Sequence, residues 1–291
     1  MPMIKIVSEQ KCLLGEGPVW DASNHLICWI DILKGMIYAL DPDSGFLKTI
    51  TTNRVLGAVC ICEDGNFLGA FQDGFGFIDR NTGAVNIVSD PERHLPGNRF
   101  NDGKCDPSGR FWAGTMSLTE APAAGTVYML GQALSISRKI EGTTISNGMT
   151  WSPDQRFFYF IDSTTGSVVR YHYDQSGEIS GIKTVVEFVP EDGIPDGMTV
   201  DTEGMLWIAH WNGWQVSRWD PATGKKLLSI PLPVANVTSC TFGGEKLQDL
   251  YITTARKGLT AAELNEQHLA GSLFVWENTG YTGIPAFEYK K

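Results

Sequence analysis

The sequence contains no apolar run approaching the roughly 18 residues that a membrane span needs, and its opening stretch, residues 1–7, has no apolar segment of signal-peptide length. A cytoplasmic protein that does not enter membranes is therefore expected. Positive charge is also scarce: 23 Lys and Arg against 33 Asp and Glu leave a formal net charge of −10, which argues against an electrostatic hold on nucleic acid. Six cysteines (Cys12, Cys28, Cys60, Cys62, Cys105 and Cys240) show no CxxC spacing. Neither a thiolate zinc site nor a disulfide framework is expected, and the thiols read as reduced, mostly buried residues. HExxH, GxSxG and a Walker loop are missing, and Gly74-Phe-Gly76 is too short a fragment of a nucleotide loop to count. Charged residues make up only 19% of the chain against 42% hydrophobic and 11% aromatic, a balance that excludes disorder.

No long 3.6-residue pattern is present either; 32 Gly, 14 Pro and many short apolar runs point to strands and tight turns. Six strand-like segments recur, at 25–32, 66–72, 110–117, 156–163, 205–211 and 249–256. Their first apolar residues, Leu26, Phe67, Phe111, Phe157, Leu206 and Leu250, set a period of roughly 41 to 49 residues, the length of a four-stranded propeller blade. Turns of the type Asp-x-x-Gly precede several of these segments, clearest at Asp106-Pro-Ser-Gly109 and Asp201-Thr-Glu-Gly204. A second turn follows at Asp41-Pro-Asp-Ser-Gly45, Asp79-Arg-Asn-Thr-Gly83, Asp174-Gln-Ser-Gly177 and Asp220-Pro-Ala-Thr-Gly224, as repeated hairpins require. The expected fold is all-β, a single six-bladed β-propeller spanning residues 1–291. An extra strand at 4–7 is placed to pair with the last blade and hide its edge. Residues 259–269 are read as a surface loop or short helix.

The innermost strands of a propeller line its central channel, so equivalent positions of different repeats meet in space. Ten residues before each anchoring apolar residue lie Glu16, Gly57, Asn101, Asn147, Asp196 and Cys240. Four of the six carry oxygen. Asp or Ser appears five residues further on in the same four repeats, at Asp21, Asp106, Ser152 and Asp201. Converging Glu, Asn and Asp side chains offer hard ligands for one divalent cation: Ca, Mg or Mn, with Zn or Fe also admitted. Alternatively they satisfy turn backbones at the channel mouth. A Glu is less expected at a turn than an Asp, which favours the cation site.

Gly15-Glu-Gly-Pro-Val-Trp-Asp21, Asn98-Arg-Phe-Asn-Asp-Gly-Lys-Cys-Asp-Pro-Ser-Gly-Arg-Phe-Trp-Ala-Gly-Thr-Met116, Ile145-Ser-Asn-Gly-Met149 and Ile194-Pro-Asp-Gly-Met198 resemble the SMP-30/gluconolactonase/luciferin-regenerating-enzyme family, from about residue 5 onward. The resemblance implies one catalytic divalent metal in the channel, held by the positions matching Glu16, Asn147 and Asp196. It also implies hydrolysis of a small-molecule sugar lactone, commonly an aldonolactone, with Arg99 and Asn101 on the sugar and Asp102 beside them. The family's further substrate-contacting Glu aligns without gaps on Thr119, with Glu120 one residue later, so Glu120 is retained as the candidate. The segment 117–125 is short for the lid it would form. A monomer or weak homo-oligomer is expected.

Lactone opening needs an electrophile for the carbonyl, which the metal supplies as a Lewis acid, and a base for water, for which Asp196 is the candidate. Alternatively the cation acidifies the water and Asp196 only orients it. His210 is read as structural, and the tryptophans as packing between blades, one of them available at the mouth for stacking on a sugar ring. Asp41-Pro-Asp-Ser-Gly45 lacks the length of a calcium loop and is read as a hairpin turn. Asn236-Val-Thr238 is a glycosylation sequon without consequence in a cytoplasmic protein. Two rival functions share the scaffold: an aryl-ester or organophosphate hydrolase, which calls for an apolar mouth, and a non-enzymatic calcium-binding or docking propeller.

Overall fold

Short strands separated by Asp- and Gly-containing turns pair with their sequence neighbours, save the first, and in the computed structural model, which describes residues 3–291, they form six four-stranded antiparallel sheets. The sheets stand in a ring as a six-bladed β-propeller. The inner strands of blades 1 to 6 are Gly15–Asp21, Leu56–Ile61, Asn98–Cys105, Ser146–Trp151, Ile194–Val200 and Val237–Gly243. Blades 1 to 5 are each built from four consecutive strands, whereas the outermost strand of blade 6 is Ile4–Ser8. It pairs antiparallel with Leu273–Trp276, Ile4 opposite Trp276 and Ile6 opposite Phe274. This pairing closes the ring and covers the edge that Leu273–Trp276 would otherwise expose.

Six hydrophobic clusters fill the wedges between successive blades. Aromatic side chains occupy them as expected: Trp112 meets Trp151 edge-on at 5.7 Å between ring centroids, and Trp207 meets Phe242 at 5.3 Å, geometries that aromatic quadrupoles favour. All six cysteines are free and buried. Residues Asp41, Asp79, Asp174 and Asp220 accept hydrogen bonds from backbone N–H groups two or three residues on, so each closes its own hairpin turn. The one α-helix among the described residues, Ala261–Glu266, is started by Thr260, whose N–H donates to the Glu263 carboxylate while its hydroxyl accepts from the Glu263 N–H.

The acidic positions five residues beyond the channel register hold the hairpins together. Asp106 Oδ2 accepts from Arg110 Nε (2.7 Å), Trp112 Nε1 (3.0 Å) and, from blade 4, the Tyr173 hydroxyl (2.9 Å). Asp201 Oδ2 accepts from Arg218 Nε (2.8 Å) and Trp207 Nε1 (2.9 Å). Asp21 pairs with Arg80 of the next blade, and Ser152 accepts from the Phe157 N–H. Among the described residues no helix is long and apolar enough to cross a membrane.

Removing one partner of a buried ion pair leaves an uncompensated charge. Asp201→Ala, which takes from the buried Arg218 its buried carboxylate partner, leaving only the exposed Glu203, and takes from Trp207 Nε1 its acceptor, is expected to lower unfolding free energy by about 3 kcal/mol in urea titration. Asp154→Ala, which breaks an exposed pair with Arg156, is expected to cost less than about 1 kcal/mol.

Candidate active site

All six inner strands break their ladder at one level. The irregularities fall at Glu16–Val19, Leu56–Ala58, Phe100–Asp102, Ser146–Met149, Pro195–Met198 and Val237–Ser239. A bulge re-aims the extra residue away from the sheet, and here it delivers Glu16, Asn101, Asn147 and Asp196 to the lining of one cavity. Glycines after these residues let the strands approach: a Cβ on Gly148 would lie 2.6 Å from the Asp196 carbonyl oxygen, and one on Gly197 would lie 2.1 Å from Ser239 Oγ.

The sixth blade departs from the ten-residue count. Five residue pairs, Ser239 with Thr253 through Gly243 with Asp249, separate its bulge from its hairpin, against three in the fifth blade. The bulged residue is accordingly Thr238, not Cys240. Its hydroxyl donates to the Gly15 carbonyl of blade 1 (2.6 Å), while Cys240 packs with Trp207 and Phe242 between blades 5 and 6.

The cavity has a volume of about 270 Å³. At its base the Asn147 amide is locked: Nδ2 donates to Ser163 Oγ (3.0 Å), which donates onward to the Pro195 carbonyl (2.7 Å). Asn147 Oδ1 consequently faces the cavity, buried and without a donor. The Glu16 and Asp196 carboxylates are both buried. Burial pushes the Glu16 carboxyl well above its usual range, and the charges of Asp196 and Asp102 add to that; burial and Asp102 do the same to Asp196. Two carboxylates that resist ionising together and one amide oxygen lacking a donor fit a hard divalent cation, which satisfies all three.

Arg99 Nη1 donates to the Phe100 carbonyl (2.9 Å) and to Asn101 Oδ1 (2.8 Å), and Asn101 Nδ2 donates to the Ser146 carbonyl (2.9 Å). Asn101 thus holds Arg99 in place and ties blade 3 to blade 4. Burial lowers the Arg99 guanidinium to about 10, while Glu16, Glu120 and Asp196 oppose that shift; it remains a cation at neutral pH. Glu120 lines the same cavity, whereas Thr119 is engaged with the Ser117 hydroxyl. Of the two aligned positions, the structure therefore brings Glu120 to the site.

Asp102 does not join this wall. One residue past the bulge, it lines a second, smaller cavity toward the other end of the channel, together with Lys104 and residues 284–287. Ser163, Trp211 and Lys257 also line the cavity that holds Glu16 and Asp196, from positions beyond the inner strands that the blade period does not reach. Trp211 is the tryptophan available at the mouth. Asn236 is buried and donates to the Lys257 carbonyl (2.9 Å), so the sequon asparagine is occupied inside the fold.

Residues 14–256 match the model of the SMP-30/Gluconolactonase/LRE-like region. The chain belongs to this family. It is 38% identical over 289 residues to regucalcin of Danio rerio, covering 98% of each chain. It is 36% identical over 281 residues, 96% of each, to the "Putative sugar lactone lactonase YvrE" of Bacillus subtilis (strain 168). Among solved structures it resembles regucalcin from Agrobacterium tumefaciens, described as calcium-binding, with a TM-score of 0.95 at 27% identity, covering 100% of this chain and 98% of that one.

His210 stands outside the family site. It is fully buried, its Nε2 lies 2.6 Å from Ser217 Oγ, and burial depresses its pKa to about 4. A depressed folded-state pKa gives stability that is complete above the unfolded value of about 6.5 and lost as pH falls through about 4. Unfolding free energy is expected to fall by up to about 3 kcal/mol across that window. In His210→Gln this part of the pH dependence should vanish in denaturant titrations, while the pH profile of turnover stays unchanged.

Proposed function

We propose that the protein is a divalent-metal-dependent hydrolase that opens a sugar lactone, an aldonolactone, to the free acid. The observation that carries this reading is the donor-free Asn147 Oδ1 beside the Glu16 and Asp196 carboxylates, at the base of a cavity that also presents Arg99. The names of the Bacillus relative and of the calcium-binding Agrobacterium protein support it. Glu16, Asn147 and Asp196 would hold the cation, and their all-oxygen character favours Ca, Mg or Mn over Zn or Fe. A bound cation supplies Lewis acidity toward the lactone carbonyl.

The remaining steps fall to side chains. Asp196 takes a proton from the attacking water as the new C–O bond forms, and returns it to the ring oxygen as the lactone C–O bond breaks. Arg99 keeps its Nε and Nη2 donors for the substrate, since its protein hydrogen bonds use Nη1 alone. Glu120 supplies the acceptor for substrate hydroxyls, and Trp211 a face for the sugar ring. The cavity volume is below the roughly 300–1,000 Å³ of drug-sized sites, which suits a single ring. Asp102, on the far side, acts here only through its field on Glu16 and Asp196.

The test is a pH-indicator assay of γ- and δ-aldonolactones on chelator-stripped protein with single divalent ions added back. Turnover restored by a hard cation is the expected result; no turnover with any cation, alongside retained cation binding, would favour a non-enzymatic cation-binding propeller. Asp196→Asn keeps an oxygen at the site but cannot accept a proton. It is expected to lose roughly 10² to 10⁴-fold in kcat even when metal titration shows full occupancy. Full recovery of rate at saturating metal would remove Asp196 from the proton transfer.

A further inference from the structure

Lys257 follows the blade 6 strand Asp249–Thr254 and lines the substrate-side cavity. Arg99, Asn101 and Glu120 come from blade 3, which in a ring of six lies diametrically opposite blade 6. The backbone around Lys257 is firmly held: its N–H donates to the Leu13 carbonyl (2.8 Å), its carbonyl accepts from Asn236 Nδ2 (2.9 Å), and Arg256 N–H also donates to Leu13 (3.1 Å). Among the described residues Lys257 takes part in no ion pair. Leu14, Ile32, Ile194 and Trp211, which offer an ammonium group no acceptor, share the cavity lining with it, and the acidic groups of that lining, Glu16, Glu120 and Asp196, form no ion pair with it. Neutral polyols are read by groups that both donate and accept; lysine only donates and carries full charge. A chain of net charge −10 also repels anions at long range, so an anion entering this site needs a local cation to meet it; Arg99 is tied to Phe100 and Asn101 on the blade 3 side, and Lys257 is the cation the lining offers on the blade 6 side.

Resting on the lactonase reading, we infer that Lys257 is a specificity-determining residue for an anionic group on the lactone, a carboxylate or a phosphate ester, carried on the part of the substrate that faces blade 6. The reacting carbonyl then lies toward Glu16, Asn147 and Asp196, and the hydroxyl-bearing edge toward Arg99 and Glu120.

The experiment compares δ-gluconolactone, glucarolactone and phosphorylated δ-gluconolactone, as initial rates corrected for spontaneous opening, on wild type, Lys257→Met and Lys257→Arg. Wild type should show a lower KM for at least one anionic lactone than for the neutral one, and the preferred anion identifies carboxylate or phosphate. Lys257→Met should raise KM for that anionic lactone by about tenfold or more, the worth of one charge-assisted hydrogen bond, and leave the neutral lactone within about twofold. Lys257→Arg should retain the preference. Equal losses on charged and neutral lactones, or no loss on either, would overturn the inference. So would a wild type that opens the neutral lactone alone, an outcome that leaves the lactonase reading intact. Turnover of none of the three with metal bound would overturn both.

Discussion

The structure is organised around one unfavourable contact: the buried carboxylates of Glu16 and Asp196, from the inner strands of blades 1 and 5, crowd each other in the channel. Left to relax, two such groups would separate or turn toward water. They cannot, because each sits in a bulge of an inner strand whose neighbours on both sides are also inner strands, and the ring closes on itself through Ile4–Ser8. Side chains at the same level lace the blades: Asn101 to the Ser146 carbonyl, Ser163 to the Pro195 carbonyl, Thr238 to the Gly15 carbonyl. Closure therefore holds the two carboxylates in place against their repulsion, which a positive charge between them would relieve.

The same strands that carry this destabilising feature carry its compensation at their other end. Five residues separate Glu16 from Asp21, Asn101 from Asp106 and Asp196 from Asp201. The downstream member of each pair is a buried carboxylate with an arginine partner, Arg80, Arg110 or Arg218 respectively. At the channel the acids lack protein donors enough to satisfy them; at the hairpin they have three to five. An acidic residue in this fold is thus read by its level along the strand rather than by its type. Substitutions at the hairpin level act on stability and those at the channel level on ligand binding.

That distinction explains what the sequence made legible. The ten-residue offset located Glu16, Asn101, Asn147 and Asp196 because the ladder from bulge to hairpin is of similar length in those blades. It misplaced the sixth position because that ladder is longer, and strand length leaves no mark in apolar alternation when both faces are buried. Asp102 was grouped with Asn101 on adjacency, but successive side chains along a strand point opposite ways, and the bulge at Asn101 sends the two residues to different cavities. Trp211, Ser163 and Lys257 were out of reach because they reach the cavity from strand ends and connections, which a blade period does not constrain. Glu120, one residue beyond the position that ungapped alignment picks out, lines the cavity with its backbone in the left-handed region (φ 56°).

The two ends of the channel are unlike, and the difference gives the site its direction. The end away from Arg99 is covered by residues 284–287, which line the smaller cavity with Asp102 and Lys104. The same segment is tied down by Tyr289, whose N–H donates to the Ile61 carbonyl and whose hydroxyl donates to the Gly131 carbonyl. A covered end keeps water from screening the carboxylates from below, and low local dielectric enlarges both their mutual repulsion and their attraction for a cation. Lys104 moderates this: its ammonium donates to the Met198 carbonyl (2.7 Å) and lowers the Asp102 carboxyl against the upward push of burial. With a positive group fixed below and an opening above, a cation held by Glu16, Asn147 and Asp196, as the lactonase reading proposes, would exchange ligands toward the cavity that Arg99, Glu120 and Lys257 line. A lactone entering there would meet the electrophile, the base and the binding groups from one direction, which is the condition for a single productive pose.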